Sequence, residues 1–487
     1  MRTTPNSGNR IYLLGLIAIF WIQSGQATPS GTSQYSLTQN QKSGKTLSLN
    51  EAVRLAFEHN YDYKSQQLAL RQVQIQYDTA WSQLYIPQIN LQMQSGSNWT
   101  LENVPGTPSG MAGADPNNRA RGYPASSIGL ALGQYTLFNF YRDKIQFEVT
   151  QANYDRAQQR FAEFERNLRF QIEGLYADAR INQDVLSASL RSVETAKAIY
   201  ELMVSRKKVG KAGDDDVSST NSDLLAANGA YEAANASMLG ALSSLSSTLN
   251  VQFDEGLTLS TPVDFKPVRI TPAAALAIFK STGPTYRDLY TNRLVADLQL
   301  ELAEKNRMPL PTVSFSGITL SYGNSYGANG NSQYANTGGP SGAPAGQLNV
   351  GVTLNLTLPI LGPNGFLGSR TIESTEIGRD LAQISLDKGV RAAQDQIQQA
   401  VQQLNALEKN VATQKQIFDN DSKLLVDVFS KMSQGKATRL ELRDAIREAF
   451  GAEGSYLTQV LGYYKQKLNL ALLIGVDALP GEEGGKR

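Results

Sequence analysis

The sequence predicts a mixed fold class, in which a transmembrane β-barrel is combined with very long α-helices and the chain is built from two internal repeats. Three observations predict it. None of the 18 prolines falls within the windows 125–261 and 364–479, and proline inside a helix costs about 3 kcal/mol or more. Short segments elsewhere alternate apolar and polar residues, as strands do. Three motifs also recur in the same order at nearly one offset.

The composition excludes several classes of protein. The chain has 487 residues, with 45 Lys and Arg against 44 Asp and Glu, one His and no Cys. A net charge of +1 argues against a nucleic-acid binder, which normally carries a basic excess. The absence of Cys removes disulfides, thiolate nucleophiles and Cys-ligated metals, and His59 lies in a segment patterned like an ordinary helix. We therefore expect no enzyme activity, no cofactor and no metal site.

The first 27 residues have the pattern of a secretory signal peptide. Arg2 and Arg10 precede an apolar run over 11–22, and small residues occupy positions −3 and −1 of a cut after Ala27. A single transmembrane anchor is the alternative interpretation, but the run is shorter than the roughly 20 residues that span a bilayer. We expect a flexible N-terminal segment over 28–46.

An internal repeat divides the following residues into two halves, 47–260 and 261–475, with a flexible tail over 476–487. The motifs that match between the halves start at Leu49 and Ile270, at Ile86 and Leu310, and at Lys208 and Ser433. The offsets are 221, 224 and 225 residues, far beyond the roughly 20 to 50 residues of solenoid repeats. The sequence therefore predicts a duplicated half.

Each half is predicted to open with a short helix and to contribute two strands. Ser48 and Glu51 form a capping-box pattern, and Thr271 precedes a proline at the first helical position. The predicted strands lie at about 88–98, 127–138, 311–320 and 348–358.

The predicted strands alternate apolar residues with small or amide residues, most regularly from Leu348 to Leu358. A half-buried strand of a soluble sheet shows such alternation, and so does an outer-membrane strand. The signal peptide and the small polar residues, which suit a water-filled lumen, favour the second interpretation. Lipid does not tolerate an open sheet edge, and known barrels have at least about 8 strands. Four strands per chain therefore require an oligomer, and three copies would give twelve strands.

Helical periodicity begins after Phe138. Apolar residues recur at steps of three and four from Phe161 to Val193 and from Ile397 to Val411, the spacing of coiled-coil packing. We predict helical hairpins over 140–249 and 370–474. A helix over 140–209 would be roughly 100 Å long and would project away from the membrane.

Each hairpin turns at a segment that contains glycine and lysine. The first turn, Val209 to Val217, includes three consecutive aspartates, and the second runs from Gln434 to Asp444. Acidic residues at a helix start complement the helix dipole, so a capped helix is the ordinary interpretation of the aspartates. A metal cluster is the less favoured one, because adjacent acids on a helix point in different directions.

As an ordered set, these features resemble the outer-membrane efflux protein (TolC) family. The set comprises the signal peptide, the duplicated halves, Leu-Ser-Leu-Asn-Glu-Ala from Leu47, Ile-Pro-Gln-Ile-Asn-Leu from Ile86, Tyr-Thr-Leu-Phe from Tyr135, and the Val-Gly and Gln-Gly turns. The resemblance covers nearly all of 47–475. It implies a homotrimer in the outer membrane of a Gram-negative cell, whose twelve-stranded barrel continues into an α-helical barrel in the periplasm.

The resemblance also implies a function and partners. Such a trimer is the exit duct of a tripartite efflux or type I secretion system. It passively conducts substrates from an inner-membrane pump, of the RND or ABC type, through a periplasmic adaptor (membrane fusion) protein. The alternative is a structural coiled-coil protein of the cell envelope without channel activity. A soluble periplasmic enzyme would need a pocket-forming set of His, Asp, Ser or Cys residues that this sequence lacks.

By the same resemblance, specific residues are expected to form a gate and a docking site. The gate or constriction falls on Asp216, Glu441 and Asp444. The adaptor-docking tips fall on Val209, Gly210, Lys211, Gly435 and Lys436. Three copies of the gate acids around one axis would repel one another and attract cations, so a narrow pore is expected to prefer cations.

The chain departs from the family pattern in two places. The Gly-Gly pair that commonly follows the second strand is Phe140-Tyr141 here. The apolar or Thr residues that flank some tips are replaced by Lys211, Gly213 and Lys436. The second departure bears on which adaptor the tips would accept.

Overall fold

The structure is a computed structural model that describes most of the chain after residue 45. The described residues are 46–100, 121–132, 135–253, 257–308, 312–325, 345–355, 360, 370–434 and 436–480. The predicted signal peptide, residues 28–45 of the predicted N-terminal segment and residues 481–487 of the predicted tail lie outside these ranges.

The described residues form eight helices and seven strands. The helices are α1 (Leu49–His59), α2 (Tyr61–Tyr85), α3 (Arg142–Lys208), α4 (Asp214–Leu249), α5 (Pro272–Thr282), α6 (Pro284–Arg307), α7 (Arg370–Ser433) and α8 (Arg439–Ile474). The strands are β1 (Thr46–Leu47), β2 (Ile89–Thr100), β3 (Arg121–Leu132), β4 (Tyr135–Phe138), β5 (Thr258–Leu259), β6 (Thr312–Ser325) and β7 (Ala345–Asn355).

Two very long helices dominate the structure. α3 has 67 residues and α7 has 64, so each is roughly 100 Å long at 1.5 Å per residue. α3 packs along α4, and α7 packs along α8, which gives two antiparallel hairpins. Among the described helices, none has the combination of length and apolar character that crossing a membrane requires.

The large sheet is antiparallel, with β2 beside β3, β3 beside β6 and β6 beside β7. β4 also pairs with β6, further along the same side as β3. β3 and β4 thus follow one another beside β6, where the sequence analysis predicted a single strand at about 127–138. β3 begins earlier than that prediction, at Arg121. The predicted end of the last strand, 356–358, lies outside the described residues.

The helices follow the same order as the strands to which the chain joins them. α2 leads into β2, β4 leads into α3, and α6 leads into β6, while α7 follows β7. α3 packs against both α2 and α6, and α6 packs against α7. The helix order α2-α3-α6-α7 therefore matches the strand order β2-β3/β4-β6-β7. The helix joined to β2 lies at one edge of its layer, and the helix that follows β7 lies at the other.

The short helix expected at the start of each half is present as α1 and as α5, but the sequence analysis did not predict the second helix that follows each of them. Two helices stand there, α1 with α2 and α5 with α6, separated at Asn60 and at Gly283. α2 was missed because none of its residues is buried, so apolar periodicity did not reveal it.

Each half has its own apolar core. In the first half, β1, α1 and β5 pack onto α3 and α4 through residues such as Leu47, Leu55 and Ile172. In the second half, α5 and the segment before it pack onto α7 and α8, around Phe279 and Leu470. A fully buried side chain of this size stabilises the fold by roughly 1.5–3 kcal/mol, so the cores hold each hairpin to its own peripheral elements.

Charged side chains of α3 connect the first half to the second. The pairs include Arg142 with the carbonyls of Lys305 and Met308, Arg156 with Asn292, Arg160 with Asp288, Asp178 with Lys465, and Arg191 with Glu453. Most of these groups are partly exposed, and exposed ion pairs contribute only about 0–1 kcal/mol each. The halves are therefore joined by many weak polar contacts along one helix.

The first residues of the predicted C-terminal tail are packed. Leu479 is fully buried in the second core, and Asp477 accepts hydrogen bonds from Arg166 and Arg169 at 3.1 and 2.8 Å. Burial alone would raise the pKa of Asp477, but the two arginines outweigh it and lower the pKa. The flexible tail expected from 476 is thus wrong for 476–480, because partners on α3 and in the core bind this segment.

A buried tyrosine fastens the β1–β5 pair to α3. The Tyr176 hydroxyl donates to the carbonyl of Leu47 at 2.9 Å and accepts from the backbone N–H of Thr261 at 3.0 Å. Its side chain is almost completely buried. One hydroxyl thus bonds to two backbone groups, one at the buried Leu47 and one at the partly buried Thr261.

We predict that Tyr176→Phe lowers the free energy of unfolding by about 0.5–1.5 kcal/mol, because the N–H of Thr261 loses this acceptor while the carbonyl of Leu47 keeps its bond from the N–H of Ser260. Urea denaturation followed by circular dichroism measures the change. Tyr290→Phe is the control, since that side chain is half exposed. Equal effects of the two substitutions would contradict the role assigned to the Tyr176 hydroxyl.

Candidate functional site at the hairpin tips

The ends of the two hairpins lie side by side around a small apolar cluster. Ile199 and Met203 of α3, Met432 of α7 and Leu442 of α8 are buried together there, with Val217 of α4 packed against them. All four long helices therefore meet at this cluster. Both predicted tip segments are positioned by it.

The first tip ends α3 with a left-handed glycine. Gly210 has φ +71°, and the backbone N–H groups of Gly210 and Lys211 bond to the carbonyls of Lys207 and Arg206, both at 2.9 Å. A residue with a β-carbon would be strained by roughly 1–2 kcal/mol in this conformation. Val209, beside the turn, is 67% exposed, and Lys211 is also exposed.

Two of the three consecutive aspartates have local roles at the start of α4. The Asp216 carboxylate accepts the backbone N–H of Gly213 at 3.2 Å, and the Asp214 carboxylate pairs with the Lys207 ammonium of α3. This is the geometry of a capped helix start, which is the interpretation that the sequence favoured.

The second tip begins α8 with a reciprocal cap. The Thr438 hydroxyl accepts the backbone N–H of Glu441 at 3.2 Å, and the Glu441 carboxylate accepts the backbone N–H of Thr438 at 2.8 Å. Glu441 is thereby engaged in a capping box. Lys436 is exposed, and Gly435 lies outside the described residues.

Arg439 joins the two tips and was missed by the sequence analysis. Its guanidinium lies 3.6 Å from the Asp216 carboxylate and 3.7 Å from that of Asp223, and it donates to the Ser219 hydroxyl. The three acceptors stand on one face of α4, at spacings of three and four residues. That spacing, together with an arginine directly after the Thr438 cap, is the signal that could have identified the contact.

Asp444 pairs within its own helix. Its carboxylate lies 3.2 Å from the Arg443 guanidinium and 3.7 Å from that of Arg447. Of the predicted gate acids, the described structure connects Asp216 to α8 through Arg439, while Glu441 and Asp444 make their contacts within α8 and its cap. The sequence analysis assigned no role to the arginines of this region.

The arginines change the electrostatics expected for the tips. Arg439, Arg443 and Arg447 follow one another at steps of four residues, so they share one face of α8. They border a groove of about 600 Å³ between α3, α4 and α8. Small residues line the groove on both sides, including Ala227 and Ala230 of α4. The acids of the tip are therefore interleaved with a comparable number of cationic groups.

A second charged cluster lies near the other end of this groove. Asp184 of α3 pairs with Arg180 at 3.0 Å, and Arg191 pairs with Glu453 of α8 at 2.6 Å. Burial raises the pKa of Asp184 and outweighs the opposing effect of Arg180. Because its pKa is raised on folding, Asp184 favours the folded state at low pH, and this contribution is lost as the pH rises through that pKa.

Comparison with known proteins identifies the family that the chain resembles. The model of the outer membrane efflux protein family matches residues 52–251. The resemblance to this family is confirmed. The matched stretch runs from the start of α1 to the end of the α3–α4 hairpin, so the efflux-protein sequence pattern includes the first tip. No curated protein matches the chain.

Solved structures of outer membrane proteins share the fold over most of the chain. The CmeC outer membrane channel of Campylobacter jejuni has a TM-score of 0.68 at 15% identity, with 89% of this chain and 87% of CmeC covered. The open state of the MtrE outer membrane channel of Neisseria gonorrhoeae has a TM-score of 0.66 at 17% identity, with 88% and 89% covered. The outer membrane protein VceC of Vibrio cholerae has 0.65 at 14%, with 88% and 96% covered. The fold is thus that of outer membrane channels.

We predict that Arg439→Gln loosens the contact between the tips. Each exposed ion pair contributes roughly 0.2–1 kcal/mol, so losing two pairs should widen the distribution of distances between α4 and α8. The chain has no Cys, so spin labels on Asp215→Cys and Leu440→Cys, both exposed positions, report this distance without background.

Arg447→Gln is the matched control, because Arg447 is mostly exposed and pairs only within α8 in the contacts described above. The distance distribution should stay unchanged in this variant. A distribution that is equally narrow in both variants would show that Arg439 does not hold the tips together.

Proposed function

We propose that the chain forms the outer-membrane exit duct of a tripartite efflux or type I secretion system. One observation carries the proposal: the strands and the helices have the same neighbour order, and each strand position in the sheet is joined along the chain to a helix of at least 24 residues. A sheet and a helical layer joined in this way can enclose one continuous passage. The similarity to outer membrane efflux channels supports the same role.

The open edges of both layers support a ring of several copies. β2 and β7 are the edge strands of the sheet. α2 and α7 are the outer helices of the series α2-α3-α6-α7. α2 exposes Leu68 and Ile75, and α7 exposes Leu381 and Ile384. A contact between the α2 edge of one copy and the α7 edge of the next is heterologous, and such contacts form a ring when the rotation between copies closes. If β3 and β4 are counted as one strand, each chain contributes four strands to the barrel, and a homotrimer has a twelve-stranded barrel.

Two equivalent hydrogen bonds support the duplicated half. The Asn60 amide, between α1 and α2, donates to the carbonyl of Thr248 near the end of α4 at 2.9 Å. The hydroxyl of Thr282, the last residue of α5, donates to the carbonyl of Ile474 at the end of α8 at 2.9 Å. The donors differ by 222 positions and the acceptors by 226, close to the offsets of the sequence matches.

The tips are the proposed contact with a periplasmic adaptor protein, which would connect the duct to an inner-membrane pump of the RND or ABC type. The proposed docking residues are Val209, Gly210, Lys211, Gly435 and Lys436. The exposure of Val209, Lys211 and Lys436 supports this assignment. Asp216, Glu441 and Asp444 are the proposed gate, with Arg439 as the group that holds the two tips together.

Planar-bilayer recording of the native oligomer, extracted from outer membranes, tests the duct. We expect discrete conductance steps. In a triple variant, Asp216→Asn, Glu441→Gln and Asp444→Asn, the ratio of cation to anion permeability should fall, because Arg439, Arg443 and Arg447 remain while the acids lose their charge.

The matched control for this recording is Arg443→Gln with Arg447→Gln, in which the permeability ratio should rise. An unchanged ratio in the triple variant would contradict the gate assignment. A correctly extracted oligomer without conductance would instead favour the structural coiled-coil protein of the cell envelope.

We predict that Leu381→Glu weakens the ring by tenfold or more in its dissociation constant, because a charge enters an apolar contact at a cost above about 1.4 kcal/mol. Native mass spectrometry of the detergent-solubilised protein measures the oligomer. Gln394→Glu, on a different face of α7, is the control. A full trimer population in the Leu381 variant would exclude this edge from the contact between copies.

A further inference from the structure

The groove between α3, α4 and α8 is long and has a wall from each of the three helices. Its lining runs from Val185 to Ile199 on α3, from Thr220 to Ala234 on α4 and from Arg439 to Gly454 on α8. Each stretch covers about four helical turns, so the groove is about 20 Å long. Its volume of about 600 Å³ lies within the range of about 300–1,000 Å³ that small-molecule sites occupy.

The groove is open because small residues occupy positions where larger side chains would fill it. A β-carbon added at Gly451 or Gly454 of α8 would lie more than 4 Å from any neighbouring helix. Ala227 and Ala230 face the groove from α4, and Ala188 forms part of its floor on α3. A ligand can therefore contact all three walls without displacing a side chain.

The α8 wall carries a row of larger apolar side chains. Leu442, Ile446 and Phe450 follow one another at steps of four residues, so they share one face of α8, and all three line the groove. Phe450 is only partly buried. Aromatic rings pack in offset-stacked or edge-to-face pairs, so this wall favours a ligand with a flat, ring-containing body.

The same wall gives the groove a positive charge. Of the residues that line it, three are arginines and one, Asp223, is an acid. Arg439 pairs with Asp223 at 3.7 Å. Arg443 and Arg447 share a single carboxylate, that of Asp444 on their own helix. Two guanidinium groups against one carboxylate leave a net positive charge beside the apolar surface.

The groove lies far from the sheet. α3 begins at Arg142, and the 43 residues from there to Val185 span about 65 Å of helix. A lipid in a bilayer around the sheet does not reach that level, so an amphiphilic anion at the groove comes from solution. The membrane location of the sheet, and with it this choice of source, rests on the proposed function.

We propose that this groove binds a free amphiphilic organic anion, with its flat apolar body between α3, α4 and α8 and its sulfonate or carboxylate between Arg443 and Arg447. Burial of the body supplies affinity because apolar surface leaves water. A guanidinium presents a planar set of N–H donors that matches the oxygens of such a head group, which fixes the orientation. The bound anion contacts both hairpins, so it adds a connection between the two halves close to the tips.

Protection of an introduced thiol tests the site in the native oligomer. The chain has no Cys, so Ala230→Cys, at an exposed position, places a single thiol in the groove. Mass spectrometry measures its rate of reaction with N-ethylmaleimide in the presence of 8-anilinonaphthalene-1-sulfonate or of N-phenyl-1-naphthylamine, which has the same rings without the sulfonate. We expect half-protection at about tenfold lower free concentration of the sulfonate, because charge-assisted hydrogen bonds to arginine are stronger than neutral contacts.

Two further variants of this protein separate the charge from the cavity. Arg443→Gln with Arg447→Gln should raise the half-protecting concentration of the sulfonate about tenfold and leave that of the uncharged amine unchanged. Gly451→Leu should abolish protection by both probes, because its side chain enters the open space of the groove. Native mass spectrometry checks that each variant keeps the oligomer of the unmodified protein.

Asn228→Cys is the matched control. Asn228 is exposed and lies about 160° from Ala230 around α4, so neither probe should slow its labelling. Equal protection by the two probes at Ala230→Cys would contradict recognition of an anion, and equal protection of the two thiols would show non-specific adsorption. An Ala230→Cys thiol that does not react even without a probe would mean that another chain covers the groove. Each of these three results overturns the inference.

Planar-bilayer recording of the Ala230→Cys oligomer separates this inference from the proposed function. Conductance without charge-dependent protection removes the anion site and leaves the duct. Charge-dependent protection without conductance removes the duct and leaves the anion site.

Discussion

The chain joins a sheet to a layer of helices, and the distance between neighbouring strands differs from the distance between neighbouring helices. Neighbouring strands lie about 4.8 Å apart, whereas packed helices lie about 8–10 Å apart, and yet every line of the large sheet continues into a helix. The connections therefore cannot be straight. Ile86 and Met308, which end α2 and α6, are extended residues placed directly before prolines, and proline disfavours a helical residue before it. Phe140 and Tyr141, which have φ +55° and +66°, make the corresponding turn in the other direction, from strand to helix.

The distribution of apolar and charged contacts follows the division into halves. The first hairpin is joined to α1, β1 and β5, and the second to α5 and the segment before it, in each case by an apolar core. The halves meet through polar contacts of α3, through Phe170, which α3 contributes to the second core, and through the apolar cluster at the tips. Exposed ion pairs are individually weak and are screened by salt. We therefore expect each hairpin to keep its own structure when the contacts between the two hairpins change.

Most of the features that could be predicted at the tips are interactions between residues close in sequence. A glycine after α3, aspartates at the start of α4 and the Thr438–Glu441 pair all act within three or four residues, so their hydrogen bonds follow from spacing alone. Arg439 acts over more than 200 residues of sequence. Its acceptors on α4 become visible only when the hairpins are packed together, and the balance of charge at the tips depends on that packing. The gate and docking assignments remain proposals drawn from family resemblance.

The sequence by itself determined where long helices run, where they are capped and where they turn, because proline, glycine and apolar periodicity act on neighbouring residues. It also carried the ordered motifs that resemble the efflux-protein family. It did not reveal α2, whose polar composition hides a helix without buried residues, or the packing of Asp477 and Leu479. Tertiary structure alone decided the common order of strands and helices, the two open edges and the contacts of Arg439. These features depend on which distant segments share a surface, and no local pattern specifies that choice.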